Sequence, residues 1–135
     1  MPNTLCHIAL QAPLSRFSAG SVSLPFVFAA CIIPDIPWVI LRLFAKFHLF
    51  PLYDLRLYTT AQASFFCCLL LAMAMSLMAK NVWLTFLVCG ANCFLHLLFD
   101  AVQVKWANGV HLFGPFSWKP FQLNLLWPEN TIFFI

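Results

Sequence analysis

The sequence predicts an all-α integral membrane protein with about three membrane-embedded helices. The first helix is broken at Pro34-Asp35, and an aromatic C-terminal segment follows along the interface. Three observations carry this. Of the 135 residues, 63% are hydrophobic and 8% are charged, against about 25% charged in a soluble domain. The apolar residues fall in runs long enough to cross a bilayer at about 1.5 Å of rise per residue. The basic residues stand singly beside those runs, as they do where loop charges set membrane orientation.

The net charge of +3 is scattered, with no run of Lys or Arg. That excludes a nucleic-acid partner and leaves the lipid bilayer as the partner that composition implies. The length suits one membrane domain over residues 1–135. Residues 1–14 lack the basic region and long apolar core of a signal peptide, so the N-terminus is expected to stay on the protein. Five of the six cysteines (Cys31, Cys67, Cys68, Cys89 and Cys93, with Cys6 outside) lie in apolar runs. Free Cys behaves there as a small hydrophobe, and no disulfide framework is expected.

In chain order, a short helix is expected from Thr4, with Thr4 as its N-cap and Pro13 ending or kinking it. Residues 19–41 hold one charge, Asp35, and are long enough to cross. The sequence Pro34-Asp35-Ile36-Pro37 interrupts them, because two prolines remove two backbone donors. Irregular backbone at membrane depth needs protein or a polar cavity around it. Residues 44–60 read as a loop with interfacial aromatics. Residues 61–79 carry no charge and read as a transmembrane helix. Lys80-Asn81 is a tight turn, and residues 82–104 form the other arm of a helical hairpin. Residues 105–135 are rich in Trp, Phe, Pro and single Lys, which suits headgroup depth rather than a crossing.

These crossings put the ends of three runs on one side. Arg42, Lys46, Arg56, Lys105 and Lys119 fall there, and Arg16 and Lys80 fall on the other. The excess makes that side cytoplasmic. Asp35, Asp54, His96, Asp100 and His111 gather on the same side. His7 starts on the opposite side unless residues 4–33 form a re-entrant hairpin.

His96 and Asp100 lie four apart, hence on one helical face. Cys89 and Cys93 share that face within about 60°. His and Asp at this spacing suit a metal, and equally a His–Asp hydrogen bond on a packing face. Asp35 fits a shared ion or a turn that ends the helix. A charged Asp in hydrocarbon costs several kcal/mol unless it is paired. Asp54 with Arg56 reads as a solvated loop pair, and His48 and His111 as interfacial residues.

The order Thr4-Leu-Cys-His7-Ile, Ile33-Pro-Asp35 and His96-Leu-Leu-Phe-Asp100 resembles the membrane-bound, metal-dependent hydrolase family. These are small inner-membrane proteins of bacteria. Residues 105–111, 115–118 and 127–129 are similar to one branch of it. The resemblance implies a divalent metal, with zinc the expected ion, held by His7, Asp35, His96 and Asp100. It further implies hydrolysis of an unspecified substrate. At the depth of these residues, on the cytoplasmic side, a lipid headgroup or phosphoester is the expected substrate class, and Asp54 is the nearest candidate for a separate base. Two departures stand out. The family's His-rich HRGxTHS motif is replaced here by Tyr53-Asp-Leu-Arg-Leu-Tyr-Thr-Thr-Ala-Gln-Ala-Ser64. Members also continue with another helix beyond the Trp-Pro segment, so a shortened member is expected. Two other classes fit the same residues. One is an adaptor whose aromatic tail docks a membrane or cytoplasmic protein. The other is a proton or ion path lined by Asp35, His96 and Asp100.

Overall fold

The computed structural model describes residues 8–9, 11–13, 15, 21–104 and 109–128. His7, Cys6, Arg16, Lys105, Trp106 and Glu129 lie outside the described residues. The chain is an all-α membrane protein. Among the described residues, two helices are long and apolar enough to cross a bilayer, and a third crossing is available from a bent pair.

Residues 8, 9, 11–13 and 15 are helical. Pro13 and Ser15 are both among these helical residues. The first long rod begins at α1, Leu24–Ile32, with a Pro in its first turn where the missing N–H is not needed. It tightens into a 3-10 turn at Ile33–Asp35 and resumes as α2, Ile36–Lys46. The 23 residues span about 34 Å. The expected break therefore falls at Pro34-Asp35, near the middle of the rod.

Residues 52–62 depart from the expected loop. They form α3, Leu52–Gln62, after Pro51. No Gly or Pro interrupts them, and one face is buried at Leu55 and Thr59 against α2. Thr59 Oγ1 donates to the Leu55 carbonyl at 2.8 Å and approaches the Pro37 carbonyl at 3.5 Å. The expected helix over 61–79 also starts later. Ser64 caps α4, Phe65–Ser76, and its Oγ accepts from Cys67 N at 3.5 Å. The break at Ala63-Ser64 turns α4 by 62° from α3. At 12 residues, α4 spans only about 18 Å. It reaches across a bilayer only together with α3.

After a turn at residues 77–81, α5 runs Val82–Val102, about 31 Å. Asn81 Oδ1 caps it by accepting Leu84 N at 3.2 Å. Pairs from α1 and α5 rise together: Phe26 with Cys89, Ala30 with Cys93, and Cys31 with His96. The two helices are therefore parallel. The tight turn makes α4 antiparallel to α5, as the expected crossings require. Gly90 permits this close packing, because a Cβ there would come within 3.1 Å of Leu69 Cδ2. Ala30, Ile33, Cys68, Ala72, Cys89 and Cys93 form the core between α1, α4 and α5. All five described cysteines are free.

The C-terminal segment does more than lie along a surface. It folds back on the end of α5. Val110 packs with Leu97 and Ala101. Leu123 N and Leu125 N donate to the Ala101 and Val102 carbonyls at 2.7 and 2.9 Å. Two short strands, β1 (Gln103–Val104) and β2 (Leu126–Pro128), pair in parallel. The last carbonyls of α5, which have no partner within a helix, are satisfied this way.

Candidate metal centre

The site begins with the missing N–H of Pro34. In α register that N–H would serve the Ala30 carbonyl, and in 3-10 register the Cys31 carbonyl. Both carbonyls turn instead to α5. The Ala30 carbonyl accepts from Cys93 Sγ at 3.5 Å, and the Cys31 carbonyl faces His96 Nδ1 at 2.8 Å. A carbonyl only accepts, so Nδ1 donates to it, and the other ring nitrogen, Nε2, faces away from that bond.

Nε2 faces two carboxylates. His96 Nε2 lies 3.5 Å from Asp35 Oδ1 and 3.9 Å from Asp100 Oδ2. One ligand atom from each of the three residues falls within 4.8 Å of the others. His96 is fully buried, Asp35 is 3% exposed and Asp100 is 7% exposed. Asp35 comes from the 3-10 turn, and His96 and Asp100 from consecutive turns of α5. The structure thus brings together three of the four residues expected from the sequence. The fourth, His7, lies outside the described residues.

The chemistry of this donor set fits a divalent ion. An ion bonded tetrahedrally at about 2.1 Å holds its ligand atoms about 3.4 Å apart. The separation to Asp35, 3.5 Å, is close to that, and the one to Asp100, 3.9 Å, is somewhat longer. Both are long for a charge-assisted hydrogen bond, which runs about 2.7–2.9 Å. Within the triad, a divalent cation matches the formal charge of both carboxylates, whereas an imidazolium matches only one. A His held through its second nitrogen by a carbonyl is also the usual support of a metal-ligating imidazole. The buried Asp-His-Asp group can therefore hold a metal ion.

Asp54 does not join this group. It lies exposed in the first turn of α3. His48 is also exposed, and His111 stands against Trp118 with ring centroids 6.2 Å apart. Cys89 donates its thiol to the Phe26 carbonyl at 3.6 Å. With the Cys93 bond, this makes the sulfur-bearing face of α5 a seam that fixes the register of α1.

Sequence reasoning missed the polar residues deeper in the bundle. Asn92, one turn before His96, is 2% exposed. Its Nδ2 donates to the Val88 carbonyl at 2.8 Å. Its Oδ1 accepts from Ser15 Oγ at 2.9 Å and from Cys31 Sγ at 3.8 Å. Cys31 therefore touches Asn92 with its side chain and His96 with its carbonyl. Gln11 is fully buried on the same helix as Ser15. The spacing of Asn92 and His96 on one face was the available signal; the part played by the Cys31 carbonyl had none.

No protein-family model, curated protein or solved structure matches the chain.

Proposed function

We propose that this protein is a membrane-bound, metal-dependent hydrolase acting at the cytoplasmic face of a bacterial inner membrane, with zinc as its ion. The observation that carries the reading is the His96 ring. One nitrogen is held by the Cys31 carbonyl, and the other faces Asp35 and Asp100 at 3.5 and 3.9 Å. One imidazole and two carboxylates form an N and O ligand set suited to zinc. His7 is the proposed fourth contributor, by the resemblance of the Thr4–Ile8 segment.

A divalent ion held there supplies a Lewis acid and lowers the pKa of a water that it binds. The chain's own part is to keep the carboxylates and the imidazole in place and largely out of bulk water. Pro34 frees the Cys31 carbonyl, that carbonyl holds the His96 ring through Nδ1, and the 3-10 turn delivers Asp35. The exposed position of Asp54 gives no support to a role as base, so the base is left unassigned. The group joins the last turns of α5 to the middle of the α1–α2 rod, and the proposed substrate class is a lipid headgroup or phosphoester reaching it from the α5 end.

The test uses protein reconstituted in vesicles of phosphatidylethanolamine and phosphatidylglycerol, with release of water-soluble headgroup phosphate as the readout. Hydrolysis is expected to stop on chelation, return with zinc and be lost in Asp100→Asn. Release that ignores the chelator, or no release at all, would overturn the reading. A proton path is a second reading, supported by the buried Ser15–Asn92–Cys31 contacts that lead towards His96. Proton flux in the same vesicles, unaffected by chelation, would favour it.

A further inference from the structure

Gln103 lies just beyond α5 and is 6% exposed, and its Oε1 has no hydrogen-bond partner. A buried amide oxygen left in that state costs on the order of a kcal/mol or more. Its position relates it to the metal centre. Its φ of −77° is still helical, and only its ψ of 149° is extended. Its Cβ therefore leaves the chain where the next turn of the helix would place it. Gln103 follows His96 by seven residues and Asp100 by three. At 100° per residue it lies about 20° from His96 and about 60° from Asp100 around the axis. Along the axis it is about 4.5 Å beyond Asp100, and helical side chains lean back towards the N-terminus. Gln103 thus continues the Asn92–His96–Asp100 stripe by one more turn, at the outer end of the site.

The C-terminal segment holds it there. Gln103 pairs with Leu126 in the short parallel ladder, and the adjacent Ala101 and Val102 carbonyls accept from Leu123 and Leu125. A residue whose backbone is held this firmly, with an unused side-chain acceptor, is suited to reading a ligand.

We propose that Gln103 is a ligand-binding residue of this site, whose Oε1 accepts a hydrogen bond from a hydroxyl on the alcohol portion of a phosphoester held at Asp35, His96 and Asp100. This rests on the proposed metal-dependent function and deepens it. The preferred substrate class is a phosphodiester headgroup that carries a hydroxyl close to its phosphate.

The test compares two probes of equal length by calorimetry on zinc-loaded protein in detergent micelles. One is methyl 2-hydroxyethyl phosphate, and the other is methyl propyl phosphate, which lacks the donor. Wild type is expected to bind the first roughly tenfold more tightly, the effect of one hydrogen bond to a buried acceptor. Gln103→Leu removes that preference while keeping its metal and its affinity for methyl propyl phosphate. Gln103→Glu, which keeps the acceptor, keeps the preference. A wild type that holds metal but does not discriminate overturns the role of Gln103 alone, as does a Gln103→Leu protein that still discriminates or loses its metal. A wild type without metal overturns the metal-centre reading and this proposal together.

Discussion

Replacing Pro34 by Ala restores the backbone N–H whose absence shapes the site. The new donor can serve the Ala30 carbonyl in α register or the Cys31 carbonyl in 3-10 register. Both are in use: Cys93 Sγ donates to the first at 3.5 Å, and His96 Nδ1 bonds the second at 2.8 Å. Alanine also favours a regular helix over proline by about 3 kcal/mol. The turn should therefore straighten, shifting Asp35 and weakening the hold on His96. Loss of the support behind a metal-binding His lowers metal affinity about 10- to 100-fold, or about 1.4–2.8 kcal/mol. The assay is competition for zinc against a chromophoric chelator in detergent. Cys31→Ala is the control, because it removes the thiol and keeps the carbonyl, and its affinity should stay within about twofold of wild type. A Pro34→Ala protein with wild-type affinity would show that the broken helix does not orient the imidazole.

Asn92→Leu removes the contact that ties Ser15 Oγ to α5, while the Gln11 carbonyl remains as its acceptor at 2.8 Å, and should destabilise the protein by about 0.5–1.5 kcal/mol, read as an earlier thermal transition in detergent. Gly109→Ala places a Cβ against the Cα and Cβ of Pro120. Backbone must then move, so the segment over 109–128 should be cleaved faster in limited proteolysis while α5 stays intact. Cysteines placed at Ser117 and Asn124 should react with a membrane-impermeant reagent supplied from the cytoplasmic side. Labelling only from the outside would reverse the orientation.

Much of the site was legible because its chemistry lies in side chains at helical spacing. His96 and Asp100 share a face of α5 by their separation of four, and Pro34-Asp35 announces a polar break in an apolar run. Counting crossings then set Asp35 at the depth of His96. The α3 segment was not legible, because its polarity and its neighbouring aromatics resemble a loop. What makes it a helix is burial of Leu55 and Thr59 against α2, a tertiary effect. Ser64 ahead of the Phe65 run was a readable cap that the lack of charge across 61–79 obscured. The Ser15–Asn92 bond joins residues 77 apart, and no local pattern reports such a contact. The Cys31 carbonyl is invisible for a different reason: its role comes from the backbone of a residue whose letter suggests only a thiol.

The most direct measurement of the central claim is metal content by elemental analysis of detergent-purified protein, wild type beside Asp35→Asn, His96→Ala and Asp100→Asn. The three side chains converge within 4.8 Å, largely buried. Each variant removes a ligand without lowering the apolarity that drives insertion. Near-stoichiometric zinc in wild type is expected, with most of it lost from each variant while all four proteins remain folded in the membrane. Wild type free of metal, or three variants that keep it in full, would contradict the metal centre.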